Sequence, residues 1–293
     1  MRNAKRWLAA IVVAALLIAI AAVTGCTSTT TTTGTTGTTT EATSTPAVKT
    51  VKSGVLLIGS DTAFPPFETM NGTTAEGFDV DLAAAIAKEM GLTSEFVSQK
   101  FDTLIPQLKA GGKYDVVMSG MTITDERKKE IDFSTAYIDS NQSIAVVKGK
   151  GFTKIPVGDT AAIQAAMKGK TIGVQSGTTG EAWAKENLKG AKGVTPFDDT
   201  LAAFSALNAG KVDAVVNDLP VSAYLVKTSY KNDELIAEIP TGEQYGIAVA
   251  KTTPETLAAI NAAFEKVKAS GAYDTIYKKW FGVAPSTSAS GTP

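Results

Sequence analysis

Apolar positions between Gly54 and Gly282 alternate between two spacings, one typical of strands and one of helices. Short runs rich in consecutive apolar residues predict buried strands. These runs lie at 55–58, 116–118, 171–174 and 213–216. Between them apolar residues recur every three or four positions, as at Leu82, Ile86 and Met90, which predicts helices closed by glycines. Such alternation is typical of an α/β fold with mainly parallel strands.

The two halves of this region share a sequence pattern. Residues 108–117 (LKAGGKYDVV) and 207–216 (LNAGKVDAVV) differ in spacing by one inserted glycine, and 58–62 (IGSDT) resembles 174–178 (VQSGT). Because both pairs occur in the same order, the pattern predicts two lobes of similar architecture. Ligands of open α/β sheets lie beyond the carboxyl ends of strands. We therefore expect one cleft, lined by the segments that follow the four strands, at 61–64, 119–122, 176–179 and 217–218.

Composition excludes several kinds of site. The 293 residues contain no histidine and one cysteine, Cys26, so a Ser-His-Asp triad, a histidine-ligated metal and an internal disulfide are excluded. Lysine and arginine number 28 against 29 acids, which gives no basic surplus for nucleic acid. No phosphate-binding or dinucleotide-binding glycine motif is present. We expect no cofactor and no metal.

The N-terminus has the pattern of a secretory signal. Arg2, Lys5 and Arg6 precede an uncharged, apolar stretch at 7–23, and Cys26 follows small residues. The stretch resembles a lipoprotein signal, which implies lipidation of Cys26 and a membrane tether; Val23 stands where the usual motif has Leu, and an uncleaved anchor is the alternative. Threonine-rich residues 27–53 are expected to form a disordered tether, either a plain spacer or a glycosylated one.

Three features of the predicted cleft suit a zwitterion. Arg127 offers a planar fork for a carboxylate, although it lies in a charged run that could be solvated surface. Thr178 and Thr179 precede a helix, whose free N–H groups could bind an anion or simply be capped. Asp218 follows a strand and could hold an ammonium group or cap the next helix.

Five ordered motifs resemble family 3 of the extracellular solute-binding proteins, which bind polar amino acids for ABC importers. They are DTAFPPF at 61–67, GFDVDL at 77–82, TITDER at 122–127 continued by DFS at 132–134, SGT at 176–178, and YKKWFG at 277–282. The resemblance implies a two-lobed periplasmic-binding-protein fold of type II, with crossings near 137–141 and 241–245. The implied boundaries are a signal at 1–26, a tether at 27–53, lobe 1 at 54–137 and 246–283, lobe 2 at 142–240, and a disordered tail at 284–293.

The resemblance also implies roles for individual residues. Arg127 and the N–H groups of Thr122 and Thr178 would hold an α-carboxylate. Asp218, the Thr122 hydroxyl and a carbonyl near Ser119 or Gly120 would hold an α-ammonium. Phe64 and Phe101 would stack on the side chain, and Asp61 would contact its far end. The expected ligand-binding set is Asp61, Phe64, Phe101, Ser119, Gly120, Thr122, Arg127, Gln175, Thr178, Thr179, Asn217 and Asp218.

Two positions bear on the identity of the ligand. Gln175 and Asn217 stand where the glutamine-binding protein of this family has Lys and His, so two potential cations are missing beside Asp61. An unpaired buried carboxylate is costly, which favours a basic side chain such as that of arginine or lysine. Glutamine remains the next candidate because Asp61, Gln175 and Asn217 could all hydrogen-bond an amide.

The resulting expectation is a membrane-anchored, monomeric, extracytoplasmic binding protein that delivers an amino acid to an ABC permease and has no enzymatic activity. Two rivals use the same fold. A dehydratase acting on prephenate-like acids would need a positioned carboxylic acid, supplied by Asp61 or Asp218. A sensor ectodomain would need a signalling partner.

Overall fold

The computed structural model describes residues 48–285, and two five-stranded sheets form its framework. The strands of this region are β1 (Val55–Ser60), β2 (Ala63–Phe64), β3 (Glu68–Asn71), β4 (Thr74–Glu76), β5 (Thr93–Ser98), β6 (Val116–Val117), β7 (Ile131–Phe133), β8 (Ile138–Val147), β9 (Thr171–Gln175), β10 (Gly193–Phe197), β11 (Ala214–Asp218), β12 (Asp233–Tyr245) and β13 (Ala248–Ala250). The helices are α1 (Phe78–Glu89), α2 (Phe101–Ala110), α3 (Asp125–Glu130), α4 (Thr160–Met167), α5 (Thr179–Asn187), α6 (Thr200–Asn208), α7 (Leu219–Thr228), α8 (Pro254–Ala269) and α9 (Ala272–Phe281).

The strand order is β5-β1-β6-β13-β7 in the first sheet and β10-β9-β11-β8-β12 in the second. Parallel pairing holds β1 to β5 and β6, and β9 to β10 and β11, whereas β8, β12 and β13 pair antiparallel. In each sheet four of the five strands nevertheless run in the same direction, so each sheet is mainly parallel, as the sequence predicts. The one reversed strand is β13 in the first sheet and β8 in the second.

The repeated sequence pattern corresponds to a repeated contact. The carboxylate of Asp115, just before β6, accepts the Leu57 N–H of β1 at 2.8 Å. In the second sheet the Asp213 carboxylate accepts the Thr171 N–H of β9, also at 2.8 Å. Both aspartates also donate their own N–H to the neighbouring strand. The same residue type therefore fixes the same strand junction in both halves, as the sequence similarity predicts.

The crossings between the sheets lie side by side. The chain passes from β7 to β8 through Tyr137 and returns from β12 to β13 after Tyr245, and Ile138 pairs with Tyr245 in the ladder. The predicted crossings near 137–141 and 241–245 fall on these strands. This pairing places two adjacent chain segments between the sheets, next to the ends of β6 and β11.

The predictions for the two ends of the chain concern residues that the structure does not describe. The signal and Cys26, the tether up to residue 47 and the tail from residue 286 are not described, and the lobe boundaries at 54–137, 142–240 and 246–283 stay predictions. No helix within residues 48–285 combines the length and the apolar character that a membrane span requires.

Candidate functional site

The segments that follow β1, β6, β9 and β11 converge on one small cavity. Its lining residues are Asp61, Phe64, Phe101, Ser119, Gly120, Thr122, Arg127, Gln175, Thr178, Thr179 and Asp218. These are the residues that the sequence analysis selected, with the exception of Asn217. Their convergence follows from the topology, because the carboxyl ends of parallel strands in both sheets face the same gap.

Arg127 lies on the short helix α3 and reaches across the gap. Its Nη1 donates to the Thr122 carbonyl at 2.7 Å and its Nη2 to the Gly177 carbonyl at 3.1 Å. The guanidinium carbon is 5.3 Å from the centroid of the Phe101 ring, a cation–π distance. Burial lowers the pKa of Arg127, while Asp218 and Glu243 act in the opposite direction. Arg127 is therefore a half-buried cation bonded to carbonyls on both sides of the gap, which argues against a freely solvated surface charge.

Asp218 ends β11 and is 5% exposed. Its carboxyl accepts the Gln142 side-chain N–H at 2.5 Å and the Tyr245 hydroxyl. The carboxyl makes no capping bond to α7, so the helix-cap interpretation is wrong. Burial raises the pKa of Asp218 to about 7, and the nearby Glu243 adds to the shift. The site thus holds an acid that a cation would stabilise in its charged form.

The N-terminus of α5 borders the cavity through two threonines with different partners. Thr178 caps the helix, since its hydroxyl accepts the Glu181 N–H at 3.1 Å. Thr179 points its hydroxyl to Glu243 at 2.6 Å. The Thr178 hydroxyl also donates to the Gln175 carbonyl at 2.8 Å, so it is used within the protein, and an anion at this helix end would have to take backbone N–H groups.

Glu243 was missed by the sequence analysis, which treated 241–245 only as a crossing. Its Oε2 also accepts the Thr122 hydroxyl, at 2.8 Å. Thr122 follows β6 of the first sheet and Thr179 follows β9 of the second sheet. The Glu243 carboxylate therefore joins both sides of the cavity. The Thr122 hydroxyl donates in this bond, so its lone pairs remain for an ammonium donor. A carboxylate two positions before the buried Tyr245 was the signal available in the sequence.

The opposite end of the cavity is formed by Asp61 and Gln175. The Gln175 amide donates to the Asp61 carboxyl, and its own oxygen accepts the Thr200 hydroxyl at 2.9 Å. Burial raises the pKa of Asp61 to about 7; the carboxylates of Asp199 and Asp102 add to this and the Gln175 bond opposes it. Within residues 48–285 no lysine or arginine forms a salt bridge with Asp61.

Asn217 does not line the cavity. Its amide lies 3.1 Å from the Thr200 hydroxyl and 3.3 Å from that of Ser222. Successive side chains of a strand point to opposite faces, so Asn217 points away while Asp218 points into the cavity. Asn217 therefore belongs to the layer behind the site, where Thr200 connects it to Gln175.

Phe64 and Gly120 form a tight part of the wall. Gly120 has φ +52°, and a Cβ there would lie 2.7 Å from Cε1 of Phe64. Ser119, its neighbour, accepts the Asp61 N–H at 2.9 Å and donates to Glu68 at 2.8 Å. The ring of Phe64 can therefore approach the backbone only because residue 120 has no side chain.

The lining of the cavity divides by charge. Arg127 supplies a cation and the end of α5 supplies N–H groups, both of which suit a carboxylate. Asp218 near them suits an ammonium, and Asp61 at the far end suits a polar or cationic group. Among the described residues no cluster of three or more Cys, Asp or Glu side chains could hold a metal ion.

Comparison with known proteins identifies similar chains. The family model described as "Bacterial extracellular solute-binding proteins, family 3" matches residues 56–283. The putative ABC transporter arginine-binding protein 2 of Escherichia coli is 36% identical over 227 residues, with 76% of this chain and 88% of the relative covered. The ABC transporter glutamine-binding protein GlnH of Bacillus subtilis is 34% identical over 242 residues, covering 82% and 85%.

Solved structures show the same similarity in three dimensions. An ancestral arginine-binding protein bound to arginine superposes with a TM-score of 0.70 at 43% identity, covering 78% of this chain and 99% of that one. An ancestral arginine-binding protein bound to glutamine gives a TM-score of 0.71 at 43% identity with the same coverage. The holo arginine-binding protein of T. maritima gives a TM-score of 0.67 at 40% identity, covering 78% and 96%.

Proposed function

Because the chain belongs to the bacterial extracellular solute-binding proteins, family 3, we propose that residues 54–283 bind one L-amino acid with a cationic side chain for an ABC importer. The observation that carries the proposal is the opposed charge in one small cavity. Arg127 and Asp218 line it together, and Asp61 lines it without a basic partner. Arginine and lysine fit this arrangement best, and glutamine is the second candidate.

The proposed pose places the amino-acid head between the sheets. The α-carboxylate takes the Arg127 fork, in place of part of its bonding to the Thr122 and Gly177 carbonyls, together with the N–H groups of Thr122 and Thr178. The α-ammonium takes Asp218, the lone pairs of the Thr122 hydroxyl and a carbonyl near Ser119 or Gly120. Contacts from both lobes favour the closed form, which is the general basis of ligand-driven hinge closure.

The charge of the cavity supports a basic side chain. Asp61 and Asp218 line the cavity, Glu243 bonds its lining residue Thr122, and Arg127 is the one cation among the lining residues that the structure describes. Fully ionised carboxyls would therefore leave a surplus of negative charge. Transfer of an isolated charge out of water is costly unless it is paired. A guanidinium or ammonium at Asp61 compensates this charge, and Phe64 and Phe101 supply apolar contact for the methylene chain. A glutamine amide would hydrogen-bond Asp61 but would leave the negative charge of its carboxylate uncompensated.

Isothermal titration calorimetry with L-arginine, L-lysine, L-histidine and L-glutamine tests the proposal. We expect micromolar or tighter binding of a basic amino acid, about −8 kcal/mol or more favourable. We expect glutamine to bind more weakly. Stronger binding of glutamine than of either arginine or lysine would replace the basic ligand with the amide, and absence of binding to all four would reject the proposal.

A matched pair of variants isolates the carboxylate site. Arg127→Ala removes the guanidinium that lines the cavity, whereas Lys128→Ala removes the adjacent charge, whose ion pair with Asp125 is exposed to solvent. We expect R127A to lose at least about 100-fold in affinity, since breaking a buried charge-assisted contact costs about 3 kcal/mol or more. K128A should bind as the wild type does. If both substitutions weakened binding equally, Arg127 would contribute only its general positive charge and not a direct contact with the carboxylate.

We also propose that the protein acts as a monomer outside the cytoplasm, attached to the membrane near an ABC permease. Relatives include binding proteins named for ABC transporters. The basic start, the apolar stretch 7–23 and Cys26 support attachment by a lipid or by an uncleaved anchor. Mass spectrometry of the mature N-terminus distinguishes a lipidated Cys26 from an intact Met1, with C26S as the control that cannot be lipidated.

The proposal includes a binding role without catalysis. A dehydratase would need one carboxyl free to act as an acid. Asp61 is tied to Gln175, and Asp218 is tied to Gln142 and Tyr245. Incubation with prephenate should therefore leave the substrate unchanged, and formation of a product would reverse this part of the proposal.

A further inference from the structure

Two buried carboxyls lie side by side beneath the cavity. Glu68 and Asp79 are each 0% exposed. Glu68 accepts the Ser119 hydroxyl and Asp79 accepts the N–H of the next residue, Gly120, so the two carboxyls are neighbours. Glu68 Oε2 and Asp79 Oδ1 have no hydrogen-bond partner in the described part of the chain. Two carboxylates contain no donor, so they can bond each other only if one of them carries a proton.

Local chain geometry brings the two side chains together. The N–H groups of Phe78 and Asp79 donate to the carbonyls of Pro66 and Phe67, both at 2.9 Å. Gly77 makes this approach possible, because it has φ +149° and a Cβ there would lie 1.9 Å from the Phe67 carbonyl oxygen. The start of α1 is thereby held against the start of β3, with a carboxyl on each.

The remaining oxygens of the pair bind residues that line the ligand cavity. Glu68 Oε1 accepts the Ser119 hydroxyl at 2.8 Å, and Ser119 in turn accepts the Asp61 N–H at 2.9 Å. Asp79 Oδ2 accepts the Gly120 N–H at 3.1 Å. The pair therefore fixes the backbone of the segment after β6 and, through one hydroxyl, the residue after β1.

The pair also contacts the crossing between the sheets but has no basic partner. The Tyr137 hydroxyl, just before β8, donates to Asp79 Oδ2 at 2.8 Å. The titratable groups that face the pair are Tyr137 and Asp61. No lysine or arginine in the described part of the chain forms a salt bridge with either carboxyl. A shared proton is then the available means of reducing their repulsion.

The two carboxyls differ in their surroundings. Burial raises the pKa of Glu68 well above its ordinary value, and the charge of Asp79 raises it further. Burial also raises the pKa of Asp79, to about 6, but the N–H of Gly120 and the hydroxyl of Tyr137 oppose that shift. The two donors on Asp79 therefore favour the charge there and the proton on Glu68.

We propose that Glu68 and Asp79 form a proton-sharing pair that positions Ser119 and Gly120 in the ligand site. Neither residue lines the cavity, so both act through the residues they hold. The proposal rests on the proposed function for its binding measurement. Its unfolding measurement needs no ligand, and the two can therefore fail separately.

The unfolding measurement uses Glu68→Gln, a neutral side chain that can donate to Asp79 and accept from Ser119. In the wild type the pKa of Glu68 is higher in the folded state than in the unfolded state, so the stability it contributes is lost as pH rises above the unfolded value. E68Q has no such loss. Its folding equilibrium constant relative to wild type should rise by up to about tenfold per pH unit from about pH 5 upward.

Urea unfolding of the ligand-free proteins between pH 5 and pH 9 gives this ratio. Asp233→Asn is the matched control for loss of a buried acid, because Asp233 is 1% exposed and bonds Asn208 away from the cavity. The slope of the E68Q ratio should exceed that of the D233N ratio. A pH-independent E68Q ratio would overturn the shared proton.

The binding measurement compares two neutral double variants, E68Q/D79N and E68M/D79N. Both remove the charge of the pair, and they differ in whether residue 68 can hydrogen-bond Ser119 and residue 79. With L-arginine as the probe, E68M/D79N should bind about fivefold to tenfold more weakly, the effect of one buried hydrogen bond. Equal affinities would overturn the positioning role. Loss of arginine binding in the wild type itself would reject the proposed ligand and leave the unfolding result standing.

Discussion

The side-chain amide of Gln175, at the end of β9, donates to the carboxyl of Asp61, which follows β1. This one bond joins the two sheets at the far end of the cavity, and it leaves the Asp61 charge without a cation. The Gln175 side chain is held in turn by the Thr200 hydroxyl. The residue at position 175 therefore decides how much negative charge the ligand must compensate.

Gln175→Lys should reverse the preference for a basic ligand. A lysine at this position would pair with Asp61 and would meet an arginine side chain with like charge. We expect affinity for L-arginine to fall by at least about 100-fold, the cost of an unpaired buried charge, while glutamine loses less. Calorimetry with both amino acids measures the change. Gln164→Lys, which adds the same charge on exposed α4, is the control, and unchanged arginine binding in Q175K would contradict the role of Asp61.

Ligand affinity should depend on pH through two carboxyls. Burial raises the pKa values of Asp61 and Asp218 to about 7, so both carboxyls are protonated in acid. Both must release their protons to solvent when a cationic ligand binds. Affinity should therefore rise with pH up to about 7 and then level, with up to about a tenfold change per pH unit for each carboxyl. Calorimetry in buffers of different ionisation enthalpy measures the released protons. Asp61→Asn should remove one of them, and an unchanged proton count would contradict the assignment.

Gly120→Ala should damage both folding and binding. The positive φ costs an alanine about 1–2 kcal/mol, and its Cβ would lie 2.7 Å from the Phe64 ring. Forced repacking adds about 1–3 kcal/mol. Gly210→Ala is the matched control, because Gly210 has φ +68° with no atom within 4 Å of the added Cβ. Urea unfolding should show a larger loss for G120A, and only G120A should lose ligand affinity; equal losses would contradict the steric argument.

Tyr245→Phe should weaken the ammonium site. Its hydroxyl donates to the buried Asp218, so its removal leaves that carboxyl with fewer donors and raises its pKa further. We expect about a tenfold loss of affinity at neutral pH, corresponding to one charge-assisted hydrogen bond, and a pH dependence shifted upward.

Tyr273→Phe provides the comparison for Y245F. Its hydroxyl is also buried and bonded, to the Tyr137 carbonyl at 2.6 Å, but it lies outside the cavity. Both variants should lose stability, whereas only Y245F should alter the pH dependence of binding. A shift in both would indicate a general structural effect rather than a contact with Asp218.

The sequence alone determined the α/β class, the two similar halves and most of the cavity. Strand and helix periodicity comes from local burial, and residues directly after parallel strands meet at one edge whatever the details of packing. Arg127 and Asp218 could be selected in this way, but their alternative interpretations could not be rejected. Only the structure showed that Arg127 contacts carbonyls from both sides of the cavity and that Asp218 bonds Gln142 and Tyr245 rather than capping α7.

The tertiary structure alone decided the contacts that depend on side-chain direction and on distant strands. Asn217 lies at the end of the same strand as Asp218, so the sequence pattern selects both residues. Asn217 nevertheless points behind the site, because neighbouring residues of a strand face opposite ways. Glu243 reaches Thr122 and Thr179, which line the cavity, only because the end of β12 lies beside the start of β8 at the crossing. Glu68 and Asp79 are eleven positions apart and become a pair because Gly77 lets two backbone segments touch. Local patterns fix which residues are buried, and three-dimensional packing fixes which of them meet.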